Sequence, residues 1–130
     1  MRDIDFLSLD DVLLAHCDQI SRYGGDPGVR DFGLLESAIA QPQATFAGEF
    51  LHAYPFAMAA AYLFHIVQNH PFVDGNKRSG AVAALAFLEL NDVQIDAPKG
   101  SIYDLTIAVA NGLVGKPEIA EYFRSHAVTS

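Results

Sequence analysis

Two long apolar stretches sit back to back near the middle of the chain. From about Pro55 to Gln68, and again from near Gly75 to about Leu90, apolar residues occupy nearly every face of a helix. A helix that is apolar all round has no face for solvent, so these two predict the centre of an all-α core. The flanking pattern is amphipathic. Leu9, Val12, Leu13, His16, Cys17 and Ile20 recur at helical spacing. They follow Ser8-Leu9-Asp10-Asp11, which reads as a capping box with Ser8 as N-cap. Gly24 and Gly25 stop that helix, and Asp26-Pro27-Gly28 makes a turn. Asp31 caps a short second helix, Leu34 to Ala40, which ends before Pro42. Ser101-Ile102-Tyr103-Asp104 reads as another capping box, opening a helix that ends at Asn111-Gly112. Pro117 opens a last helix, to about His126. Residues 43–52 show no clean period and predict a loop or short hairpin, a flap in front of the central helix. Val93 to Gly100 predicts a loop. The expectation is one domain, 1–130, a compact bundle of about six helices with no repeat and no linker.

Composition narrows the function. Apolar residues make up 51% of the 130 and charged residues 18%, which suits a compact globule rather than a disordered chain. The net charge of −8 argues against direct nucleic-acid binding, which rests on neutralising phosphates. It permits a partner with a basic surface. The longest apolar run, Ala53 to Val67, is broken by His65 and is too short to cross a membrane. The N-terminal Asp3, Asp5, Asp10 and Asp11 do not fit a signal peptide. The single cysteine, Cys17, cannot close an internal disulfide, which points to a reducing, cytoplasmic setting. On the apolar side of the first helix it is expected to pack into the core.

One polar cluster breaks the apolar pattern. His70-Pro71-Phe72-Val73-Asp74-Gly75-Asn76-Lys77-Arg78 falls at the junction of the two buried helices. Singly, each residue has a structural explanation. His70 suits a helix C-terminus, Asp74 an N-cap, Gly75 a turn, Arg78 the surface, and Phe72 a core anchor. Together they cost desolvation unless something pairs with them. A helix N-terminus offers unpaired N–H groups and positive partial charge, which suit an anion. The simplest chemistry is phosphate handling with a histidine in reach.

The same stretch resembles the His-x-Phe-x-Asp/Glu-Gly-Asn-x-Arg signature of the Fic/Doc superfamily. His70, Phe72, Asp74, Gly75, Asn76 and Arg78 match it position by position. Ser21-Arg22-Tyr23-Gly24-Gly25 and the stretch from Arg30 to Ala38 are similar to death-on-curing (Doc) toxins, so the resemblance covers about Leu7 to Phe123. It implies that His70 is the general base, that Asp74 holds Mg²⁺ bridging the phosphates of ATP, and that backbone N–H groups around Gly75, Asn76 and Lys77 form an anion hole. It further implies that the Asn76 amide orients phosphate and that Arg78 clamps phosphate oxygens. Phe72 is the motif's core anchor.

Two departures separate the subtypes. AMP-transferring Fic enzymes usually have glycine where this chain has Lys77, and a second arginine where it has Ala81. Both differences resemble Doc, which implies a protein kinase that moves the γ-phosphate of ATP to a Ser/Thr hydroxyl of a translation factor, elongation factor Tu. Gly75 is the choice of AMP-transferring members, where Doc members often carry alanine. AMP transfer is therefore the alternative, with a catalytically degenerate binding module as a third. Thr45 to Glu49 begins like an inhibitory Fic motif, but Phe50 follows and the segment is irregular, so it reads as coincidence. The resemblance then implies a separate antitoxin, with Phe46, Phe50, Leu51 and Tyr54 as groove residues for it.

Overall fold

The computed structural model describes residues 3–128. Six α-helices dominate them: α1 (Leu9–Tyr23), α2 (Phe32–Ala40), α3 (Phe56–Asn69), α4 (Asn76–Leu90), α5 (Ser101–Ala110) and α6 (Lys116–His126). One 3₁₀ turn (Gln41–Gln43) leads into a two-stranded hairpin, β1 (Thr45–Phe46) and β2 (Glu49–Phe50). The strands are antiparallel, with Thr45 opposite Phe50 and Phe46 opposite Glu49.

The two apolar helices form the centre. On α3, an unbroken run from Met58 to Leu63 is buried, and α4 contributes Ala83, Ala84, Phe87 and Leu88. They approach closely at Gly80, where a Cβ would lie 2.9 Å from the Val67 side chain and 3.2 Å from the Leu63 carbonyl oxygen. α1 and α2 cover one side of this pair through Val12, Leu35 and Ala38; α5 and α6 cover the other through Val109, Ile119 and Phe123. Burying one such aliphatic or aromatic side chain is worth roughly 1.5–3 kcal/mol, so the α3–α4 pair dominates the core's stabilisation. The segment before α1 is tied down as well: the Leu7 N–H donates to the buried Tyr62 hydroxyl at 2.9 Å. Burial raises that phenol to about 12, against the lowering effect of the Leu7 hydrogen bond.

The caps explain most boundaries. Ser8 Oγ accepts from the Asp11 N–H and Asp11 accepts from the Ser8 N–H, a complete capping box. Asp31 accepts from the Leu34 N–H, which starts α2 at Phe32, two residues earlier than the pattern suggested. Two expectations fail. Ser101 does not cap α5: Gly100 is the N-cap, and the Ser101 hydroxyl bonds instead to the Tyr122 hydroxyl of α6 at 2.7 Å. A tertiary partner outcompetes the local one. Cys17 is exposed, because the apolar stripe of α1 turns inward through Val12 and His16.

Candidate active site

The nine-residue cluster forms the turn between α3 and α4, where each apolar helix leaves polar ends. His70 is the C-cap of α3, in the left-handed region with φ 50 and ψ 53. That conformation is costly for a non-glycine residue and persists only where neighbours fix it. Arg30 does so. Its Nε donates to the His70 carbonyl at 2.6 Å and its Nη2 to the Asn69 carbonyl at 2.9 Å. The guanidinium thus satisfies two carbonyls that the helix end leaves over, and places a cation at the negative end of the dipole. The His70 imidazole itself is exposed and makes no hydrogen bond among the described residues.

The segment between α1 and α2 straps the turn from outside. The Arg30 and Asp31 N–H groups both donate to the Pro71 carbonyl, at 2.7 and 3.0 Å, and the Val73 N–H donates to the Gly28 carbonyl at 3.0 Å. The Asp26 N–H donates to Asp74 Oδ2 at 2.8 Å. Phe72 anchors the turn inside, fully buried. Asn76 locks it: Oδ1 accepts from the Phe72 N–H and Nδ2 donates to the Phe72 carbonyl, both at 2.9 Å. This corrects the expectation that the Asn76 amide orients phosphate. The side chain is 7% exposed and both ends of its amide are committed to the backbone. Asn76 shapes the loop that an anion would meet.

Gly75 is the N-cap of α4, with φ 80 and no side chain capping the helix. A side chain there would be strained in the left-handed region. Asp74 is accordingly not the N-cap, and its carboxylate points to the strap rather than to the first-turn amides. The N–H groups at the start of α4 are left for an outside acceptor. His70, Asp74, Gly75, Asn76 and Lys77 line one cavity of about 150 Å³ at this point. Asp74 and Gly75 also line a second cavity of about 320 Å³, with Gln19, Tyr23 and Arg78. So the structure gathers His70 and Lys77 at the small cavity and sets Arg78 in the adjoining one. There the Arg78 guanidinium lies 4.5 Å from the Tyr23 ring centroid and 5.7 Å from that of Tyr103. Cation–π contacts with the two rings restrain its planar fork, a shape that suits oxyanions.

A metal fits this site in one way. No group of three or more His, Cys, Asp or Glu side chains among the described residues could hold an ion. Asp74 supplies a single carboxylate, one oxygen of which already accepts a backbone hydrogen bond. Mg²⁺ is commonly held by one or two carboxylates with phosphate and water completing the octahedron, so this donor set suits an ion that arrives with a polyphosphate.

His16 is the buried neighbour of the turn that the sequence pattern conceals. It occupies an apolar position of α1 and is 2% exposed. Its ring stacks on Phe72, with centroids 3.7 Å apart and planes within 5°. Its Nε2 lies 2.8 Å from the Asp74 carbonyl oxygen. Among the charged and polar residues of α1, only its burial at a core position sets it apart, and periodicity alone reads that as packing.

Comparison with known proteins agrees with the geometry. The model of the Fic/DOC family matches residues 6–88, which span α1 through most of α4 and the whole turn. A protein named Toxin Doc from Mycolicibacterium smegmatis is 45% identical over 95 residues, 72% of this chain and 69% of that protein. A protein named Protein kinase doc from Escherichia phage P1 is 37% identical over 119 residues, 91% of this chain and 92% of that protein. With an exposed histidine beside an uncapped helix N-terminus, an Asn-locked turn, and relatives of this extent, the chain belongs to the Fic/DOC family and is of its Doc type.

Proposed function

We propose that this protein is a toxin-type protein kinase that transfers the γ-phosphoryl group of ATP to a Ser/Thr hydroxyl of elongation factor Tu and is neutralised by a separate antitoxin. One observation carries the reading: an unengaged imidazole and the uncapped start of a helix, with Lys77 beside them, share one small cavity. The name of the phage relative, a protein kinase, supports the same chemistry.

The residues divide the work as follows. The N–H groups at the start of α4 and the Lys77 ammonium receive the phosphoryl group to be moved, and hold the charge on its oxygens as the bond order changes. His70 accepts the proton of the incoming hydroxyl at a ring nitrogen as the hydroxyl oxygen bonds to the γ-phosphorus. The bond from the γ-phosphorus to the β–γ bridging oxygen breaks, and ADP leaves with that electron pair. Asp74 would hold Mg²⁺, which would neutralise phosphate charge when bound. Arg78, restrained by its contacts with Tyr23 and Tyr103, clamps the remaining phosphates in the larger cavity. Lys77 fills the place of a second glycine, and the buried Ala81 adds no second cation. Both features favour a nucleotide placed with its terminal phosphate at His70. The exposed Phe46, Phe50 and Leu51 of the hairpin region offer an apolar surface to the antitoxin.

The test is incubation with elongation factor Tu, ATP and Mg²⁺, followed by mass spectrometry of the target. A phosphoryl adduct that His70→Ala fails to make supports the kinase. An adenylyl adduct replaces it with AMP transfer on the same scaffold. No adduct on any target, with tight antitoxin binding retained, points to a degenerate binding module.

A further inference from the structure

We infer that His16 is a positioning residue for the anion hole: through its Nε2–H it fixes the Asp74–Gly75 peptide so that the Gly75 N–H faces outward. The inference rests on the phosphate-binding reading of the turn. The geometry starts from the acceptor. A carbonyl oxygen can only accept, so the 2.8 Å contact between His16 Nε2 and the Asp74 oxygen requires a proton on Nε2. The sole cis peptide bond among the described residues is Tyr54–Pro55, so the Asp74–Gly75 bond is trans. In a trans peptide the C=O and N–H point in opposite directions. Drawing the Asp74 oxygen down onto a buried imidazole therefore turns the Gly75 N–H away from α1. That N–H is where the uncapped start of α4 begins, beside the cavity shared by His70 and Lys77.

Two further contacts make the constraint rigid. The flat stack on Phe72 fixes the plane of the imidazole, and Phe72 is itself tied to Asn76 by two hydrogen bonds. The His16 ring also underlies Gly75, where a Cβ would meet it at 3.5 Å. A left-handed glycine is conformationally permissive, and without the donor at Nε2 its preceding peptide is the bond most able to flip. A flipped peptide would present a carbonyl oxygen to a phosphate.

The experiment separates positioning from packing. His16→Phe keeps the stack and removes the donor; His16→Gln restores a donor at the position of Nε2. ATP affinity in the presence of Mg²⁺ is measured for both by calorimetry, with melting temperature alongside and transfer kinetics on the target. His16→Phe is expected to melt close to the wild type, bind ATP roughly tenfold more weakly, the scale of one lost hydrogen bond, and raise KM more than it lowers kcat. His16→Gln is expected to recover most of the affinity. Unchanged ATP affinity in His16→Phe overturns the inference. If phenylalanine unfolds the protein, His16→Gln decides: a folded variant with lost affinity overturns it, and retained affinity supports it. A wild type that binds no ATP sinks the kinase reading instead. The inference is then judged on the Gly75 amide resonance, which must move in whichever His16 variant lacks the donor and folds, and whose constancy there overturns it.

Discussion

Two clusters of histidine and lysine lie along α3, and they differ in what faces them. At the C-terminus of the helix, His70 is exposed and shares a cavity with Lys77 and the uncapped start of α4. Little more than one turn earlier, His65 meets His52 and Lys116 in a closed arrangement. The Lys116 Nζ lies 3.1 Å from His65 Nε2 and 3.2 Å from His52 Nε2, and 5.6 Å from the Phe64 ring centroid. An ammonium has only donors, so both imidazoles must be neutral and offer their Nε2 lone pairs. Burial first, then the Lys116 charge, then His52, push His65 down to about 4. Burial and Lys116 also lower His52, against an opposing contact with the Gln41 backbone. The closed cluster spends its lone pairs on its own lysine and pins the segment after the hairpin to α3 and α6. The open one leaves its imidazole exposed and unengaged. Residue type is the same in both; the difference lies in whether the partner is already present.

The largest expected break of this contrast is catalytic. His70→Ala should lower transfer by roughly 10²–10⁴, the usual worth of a positioned base, whereas His65→Ala should leave it near the wild-type rate. Rates of target phosphorylation measured side by side check it. Equal losses in two folded variants would mean that the clusters do not differ as their geometry says.

Next is the strap. Arg30→Met removes both guanidinium hydrogen bonds to the end of α3. Two unpaired carbonyls and a strained His70 backbone should cost about 1–3 kcal/mol in denaturant unfolding, with reduced transfer as well. A variant with full stability and reduced transfer would place Arg30 on the substrate rather than on the helix end.

How much of this was legible in the sequence follows from the range of each interaction. The apolar runs of α3 and α4, the capping box at Ser8 and the Asp31 cap are local, and they are found where the pattern put them, within one or two residues. The motif was readable because its residues are contiguous. His16 was not, since its partner Asp74 is 58 positions away and a buried histidine on an apolar stripe looks like packing. Asn76 was misread for a different reason: its type suggests a ligand, but its amide closes on the backbone of Phe72 within the same motif. Ser101 had the right local spacing and lost to a hydroxyl on α6. Lys116 carried no signal that two histidines from distant segments would converge on it.

Acid should reveal the closed cluster. Both histidines have folded values below the ordinary 6.5, so below that pH the unfolded chain binds protons that the native state refuses. Stability is therefore complete above about 6.5 and declines as pH falls toward the His65 value of about 4. After allowance for partial exposure, His65 should account for about 1–2 kcal/mol of that loss. Urea midpoints between these pH values check it, and a flat profile would mean that the imidazoles are more hydrated than their packing indicates.

The smallest effect isolates the lysine. Lys116→Met removes the second largest cause of the His65 shift and leaves the first, burial, in place. The His65 titration, followed by its imidazole proton resonance, should move up but stay below 6.5. Stability at acid pH should fall less steeply than in the wild type, because less proton uptake separates the two states. The His70 resonance should not respond, since no contact connects its ring to Lys116 among the described residues. A joint response of both histidines would show the two clusters coupled through α3, and the division between an open end and a closed cluster one turn before it would then not hold.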